Sequence, residues 1–220
     1  MPTETASATP VPNEPRPRTP VLKALGWGGA VLLVACAVLV LNLAGGSTDF
    51  PRAAPEDMAD RAFQRSQEAY DVLEFTRTVA PGVEDHGVST ENTLGSGYCY
   101  GGGISDETVD GAYRMSHSWA LDHVPASQAV PGIRRLHQHL EDDGWEITSF
   151  REGGAKGDWD LLVQRDDGDE RMSFTWAPDR EYFRGGASVP CAYDPKWKDS
   201  DLGLPGDDLR PPTFGPAGRG

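Results

Sequence analysis

Basic residues are scarce in this chain of 220, with 20 Lys and Arg against 34 Asp and Glu, for a formal net charge of −14. Such a surface repels phosphate backbones and anionic lipid headgroups, which argues against nucleic acid as a partner. Cysteine is scarce too: Cys36, Cys99 and Cys191 are the full set, and their separations match no zinc-finger or redox spacing. Catalytic signatures are missing as well. There is no Gly-x-Ser-x-Gly elbow, no Ser-x-x-Lys and no His-Glu-x-x-His, which removes the common hydrolase and zincin templates.

The remaining metal and phosphate motifs fail on context. Five histidines are present, but His137 and His139 are two apart on a predicted helix and point about 200° from one another. His117 and His123 share a predicted strand face but lie about 20 Å apart at 3.3 Å per residue, and His86 stands alone in a loop. The acidic run Asp166-Asp167-Gly168-Asp169-Glu170 lacks the spacing of a calcium loop and its terminal bidentate Glu. Gly95-Ser96-Gly97-Tyr98-Cys99-Tyr100-Gly101-Gly102-Gly103 is followed neither by Lys-Ser/Thr nor by a helix, so it is not a phosphate cradle. The sequence assigns no catalytic, cofactor-binding or metal-binding residue and implies no cofactor.

What the chain does hold is one long uncharged run. Residues Ala24 to Ala44 contain no charged side chain over 21 positions, and a helix of that length rises about 30 Å, the hydrocarbon thickness of a bilayer. It reads as a single transmembrane helix, with the lipid bilayer as partner of residues 24–44. Arg16, Arg18 and Lys23 precede it and Asp49, Arg52, Glu56 and Asp57 follow it. Basic flanks stay inside, so the N-terminus is expected in the cytoplasm and the C-terminal bulk outside the cell membrane. Two alternatives use the same residues. A cleaved signal peptide fits the small residues Ala44-Gly45-Gly46-Ser47, but its apolar core is shorter, about 7–15 residues. Leu33-Val34-Ala35-Cys36 resembles a lipobox, yet cutting there leaves Ala37 to Leu41, an apolar stretch, at the new N-terminus. Retention as a span is favoured.

Around the span the chain divides by composition. Residues 1–23, with six prolines, form a disordered cytoplasmic tail. Residues 45–55 form a tether, 56–198 an extracytoplasmic α+β domain, and 199–220 a disordered acidic Pro/Gly tail. Residues 1–23 hold two acids against three bases, so residues 45–220 carry −15. In an oxidising compartment Cys99 and Cys191 are expected to pair.

Within the domain, Met58, Ala62, Phe63, Ala69, Tyr70 and Leu73 recur at helical spacing, predicting a helix from Glu56 to about Val79 that Pro81 stops. Ala80 to Asp110 reads as a Gly-rich loop. Alternation from Ala112 to His123 predicts a strand, with Tyr113, Met115, His117, Trp119 and Leu121 on one face. A second helix ends at Asp143 with Gly144 as its C′ residue and starts at Gln128 or, best, with Pro131 as first helical residue. Strands follow at Trp145 to Phe150, Trp159 to Arg165, Arg171 to Ala177 and Glu181 to Pro190. The expectation is a mostly antiparallel sheet of four to five strands, two helices on one face, one disulfide, and Trp119, Trp145, Trp159 and Trp176 in the core.

Function follows by elimination. A tethered, acidic, two-cysteine domain without assembled chemistry reads as a non-enzymatic interaction or binding module, facing an envelope protein or cell-wall component. The alternative is a cell-envelope, hydrolase-like enzyme whose carboxylate or His site is drawn from distant segments. That alternative requires a deep pocket holding titratable groups with shifted pKa values.

Overall fold

The computed structural model describes residues 50–84, 89–101, 107–153, 157–198 and 203–216. The first helix, α1, spans Pro55–Leu73, with Pro55 at its start and Glu56 and Asp57 in the first turn, where they complement the helix dipole. It stops before Val79, because Glu74 turns left-handed at φ 59° and its N–H caps the Asp71 carbonyl. Strands β1 (Gly82–Val83), β2 (Glu91–Tyr100) and β3 (Thr108–Leu121) follow, then α2 (Ala126–Asp142). Strands β4 (Glu146–Arg151), β5 (Trp159–Arg165), β6 (Glu170–Ala177), β7 (Tyr182–Ser188) and β8 (Ala192–Tyr193) complete the chain. Gly144 takes the left-handed C′ position after α2, at φ 81°. Pro131 is not the first residue of α2 but lies inside it. The helix starts five residues earlier because Ala126 to Val130 already supply a helical turn, anchored by Ala129 in the core.

The architecture is α+β, with two helices and one antiparallel sheet of eight strands in the order β1-β2-β3-β7-β6-β5-β4, β8 pairing with β3. That is more than the four to five strands read from the sequence. The extra members are β1, β2 and β8, and β2 occupies part of the segment expected to be a loop. Each half of the fold is a helix followed by a meander: α1 then β1-β2-β3, and α2 then β4 to β7. The two meanders join through their last strands, β3 and β7, in register from Ser116↔Ser188 to Leu121↔Phe183.

Both helices pack on one face. Trp119, Gly185, Phe174, Leu161 and Phe150 form one row across that face, and His117, Ala187, Met172, Val163 and Ile147 the next. Trp119, Trp145, Trp159 and Trp176 all belong to the main core cluster. Gly185 is required there, since a Cβ on it would lie 2.4 Å from the Trp119 ring. Helix α2 approaches α1 closely at Gly132, and Arg135 donates to the Val72 and Leu73 carbonyls that α1 leaves unpaired at its end.

Residues 203–216 are not a disordered tail. Phe214 is fully buried, exchanges two backbone hydrogen bonds with Val79 (2.7 and 2.9 Å), and has ring contacts with Phe63, Tyr70, His117 and Trp119. The folded domain therefore extends past residue 198, because one aromatic side chain recruits the Pro/Gly segment around it. At the other end of the sheet Cys99 and Cys191 form a disulfide with Cα atoms 6.1 Å apart.

The expected cytoplasmic tail, residues 1–23, and the expected membrane helix, residues 24–44, lie outside the described residues. Among the described residues no helix is long and apolar enough to cross a membrane.

Candidate functional site

Two helices cover one face of the sheet; on the other, Phe50 and Tyr193 pack on Ala112, Cys99 and Cys191 at the disulfide end, and the described residues leave the centre open. Strand register resolves that open face into three rows. The first is Glu91, Ala120, Arg184, Thr175, Asp160 and Arg151, from β2 across to β4. The second, two residues along each strand, is Thr93, Ser118, Gly186, Ser173, Leu162 and Ser149. The third is Gly95, Ser116, Ser188, Arg171, Gln164 and Glu146. Alternation along each strand puts these side chains opposite the core, and pairing between strands aligns them into rows.

The middle row is built of small residues apart from Leu162, and the rows beside it carry long ones. A trough results. Two adjoining cavities of 750 and 500 Å³ run along it and share Ser118, Leu162, Ser173 and Gly186 as common lining. Its size is that of a small-molecule cleft, and its lining mixes hydroxyl and guanidinium groups with apolar surface. No Trp, Tyr or Phe side chain belongs to the three rows.

Polar groups in the trough fall into two kinds. Some are paired: Arg151 Nε donates to Asp160 Oδ2 at 2.8 Å, and Thr175 donates to the other oxygen of Asp160 at 2.9 Å. Gln164 donates to Glu146 at 2.8 Å, and the Thr93 hydroxyl to Glu91 at 2.8 Å. The Asp160 hydrogen bond pushes the Arg151 pKa up, so this guanidinium keeps its charge throughout the working pH range. Others are open. Arg184 has no ion pair and no side-chain hydrogen bond among the described residues, and Arg171 bonds through Nε only to the Gly168 carbonyl, at 2.6 Å. Such a surface can hold a ligand by hydrogen bonds and charge.

The titratable group with the largest downward shift lies behind the sheet, away from the trough. His117 is fully buried between Phe63 and Phe214, with ring centroids at 4.9 and 5.0 Å. Asn92 donates its amide to the Val79 and Pro212 carbonyls, which leaves Asn92 Oδ1 to accept from His117 Nε2 at 2.8 Å. The proton therefore sits on Nε2, and Nδ1 has no partner. Burial without a charge partner lowers the His117 pKa to about 4. This is a structural histidine held neutral.

The residues singled out from the sequence are dispersed. Cys99 and Cys191 are joined in a small cluster with Ala112. His137 stacks on Phe150 at 4.2 Å, and His123 is an exposed partner of Asp122. Among the described residues no group of three His, Cys, Asp or Glu is placed to hold a metal. The trough residues were present in the sequence as the polar positions of alternating strands, but only strand pairing brings them together. Comparison with protein-family models, with curated proteins and with solved structures finds no match to this chain.

Proposed function

We propose that the protein is a membrane-anchored, extracytoplasmic binding module, non-enzymatic, which takes an envelope ligand on the open face of its sheet. The observation that carries this reading is the trough itself: a sheet face left uncovered by two helices, shaped into a cleft and lined by hydroxyls and unpaired guanidinium groups. Its setting is supplied by the uncharged segment 24–44, the basic residues before it, and the Cys99–Cys191 bridge, which belongs to an oxidising compartment.

The enzyme alternative is disfavoured by the same geometry. It requires a deep pocket with a proton-transferring group tuned to work near neutrality. Here the cleft is open, and its central acid Asp160 is committed to Arg151 and Thr175.

The test uses full-length protein in detergent micelles and a purified cell-envelope preparation. Ser173→Trp fills the floor of the trough from an exposed position, so the fold is retained and envelope binding is lost. Unchanged binding by a folded Ser173→Trp variant refutes the site. Protease added to intact cells is expected to digest the domain and spare residues 1–23; the reverse pattern refutes the topology.

A further inference from the structure

We infer that the trough recognises an elongated anionic polyol, a glycan or polyol chain that carries carboxylate or phosphate groups at intervals; this rests on the binding reading above and assigns its ligand class.

The floor sets the first requirement. Ser118 and Ser173, with Ser188 beside them, offer hydroxyls that donate and accept, while the strand backbones of the sheet centre are already paired with one another. A ligand is therefore held by side-chain hydroxyls, and its natural complement is a chain rich in hydroxyls of its own. Leu162, 41% exposed in the same row, gives the carbon face of such a chain one apolar contact.

Charge sets the second. On a chain of net charge −14, the three rows hold three carboxylates and three guanidiniums. Arg151 is neutralised by Asp160, while Arg171 and Arg184 keep donors that no acid of the described residues meets. Guanidinium forks match carboxylate and phosphate oxygens, and hydrogen bonds to such ions are about twice as strong as neutral ones. The two arginines flank the floor on opposite sides. Arg171 pairs with Ser188, four residues from Arg184 on β7, which places the two Cα atoms about 14 Å apart. One small anion cannot meet both; an extended chain with repeated anions can.

Competing occupants fit less well. A peptide strand gains its affinity by adding to a free sheet edge, whereas this trough crosses the faces of paired strands. A neutral sugar held by ring stacking needs an aromatic platform, and the three rows hold no aromatic side chain; Tyr182, two residues before Arg184 on the open face of β7, lies outside them.

The test measures binding of the full-length protein in detergent micelles to four probes of matched length: oligogalacturonate, oligo(glycerol phosphate), neutral malto-oligosaccharide and oligo-glutamate. The inference expects one or both anionic polyols to bind, weakening as salt rises, with the neutral oligomer and the acidic peptide much weaker. The carboxylate and phosphate arms identify which anion the arginines select. R184Q and R171Q are each expected to weaken binding about tenfold, while R61Q, on α1 and away from the sheet face, leaves it unchanged. Equal binding of the neutral oligomer, preference for oligo-glutamate, or indifference to both arginine substitutions overturns the ligand class. If none of the probes binds yet envelope binding remains sensitive to Ser173→Trp, the ligand class fails and the binding site stands. If envelope binding is insensitive to Ser173→Trp, the site itself fails.

Discussion

Phe214 is the most informative single position for testing the fold, because composition places it in a Pro/Gly tail and the structure places it in the core. Its ring meets Phe63 at 5.7 Å, Tyr70 at 4.6 Å, His117 at 5.0 Å and Trp119 at 5.4 Å. Truncating a buried Phe to Ala costs about 3–5 kcal/mol, and four aromatic neighbours put this site at the upper end. The loss also uncovers His117. In the intact protein this histidine has a pKa of about 4 against 6.5 when free, so the unfolded chain takes up the proton first as the pH falls. Stability is complete above about pH 6.5 and declines toward pH 4, by about 3 kcal/mol in total. With Phe214→Ala, water reaches the unpartnered Nδ1, the folded pKa rises toward its free value, and this acid-side decline becomes shallower. Urea unfolding at pH 7.5 and pH 5, with an NMR titration of the His117 ring, measures both effects. A cost below 1 kcal/mol together with an unchanged pH slope would show that residue 214 does not cover the histidine, and the packing argument would be refuted.

Three further substitutions test separate parts of the structure. Replacing Cys99 and Cys191 by Ser, a pair separated by 92 residues, is expected to cost about 4–5 kcal/mol on the chain-entropy model; two free thiols on alkylating the unreduced protein would disprove the bridge. Glu170, buried between Arg65 (2.9 Å) and Arg165 (2.6 Å), ties α1 to the sheet. Glu170→Gln leaves two partly exposed guanidiniums unpaired and is expected to cost about 2–3 kcal/mol in thermal or urea unfolding. Ionic contacts with both arginines outweigh burial and hold the Glu170 pKa below the usual carboxylate range. Its contribution is therefore present above about pH 4.5 and lost as the pH falls through the lower folded value, and a Gln variant that keeps this part of the acid slope contradicts the assignment. Gly185→Ala brings a methyl within 2.4 Å of Trp119 and 2.8 Å of Phe174, for an expected loss of about 1–3 kcal/mol; a change inside 0.5 kcal/mol would mean that the core yields there.

The parts of the fold that could be read from the sequence are those where local pattern and tertiary environment agree. Strand β5 is legible at its observed bounds because Trp159, Leu161 and Val163 recur at every second position between turn residues, and the end of α2 because Gly144 supplies the left-handed residue that the turn needs. Strand β2 was hidden for the opposite reason. Its fully buried position in the first half is Asn92, whose amide is satisfied by two carbonyls and by His117, so the inward face does not look apolar. Phe214 was hidden because one aromatic residue does not alter the composition of the window around it. The trough lay beyond any one-dimensional reading: Arg184, Thr175 and Asp160 are neighbours only once β7, β6 and β5 have found their register.

The place where the polypeptide joins the domain has a mechanical meaning. The Pro51 carbonyl and the Ala53 amide bracket Tyr193, which lies in β8 against β3, and two residues earlier Cys191 is bonded covalently to Cys99 in β2. Tension arriving from residues before Phe50 is thus handed within a few residues to two strands inside the sheet, one of them through a sulfur link, instead of peeling an outer strand away. Since β3 also contributes Ser118 to the trough floor, under the binding function proposed above a ligand held there and a pull from the N-terminal side would load the same strand.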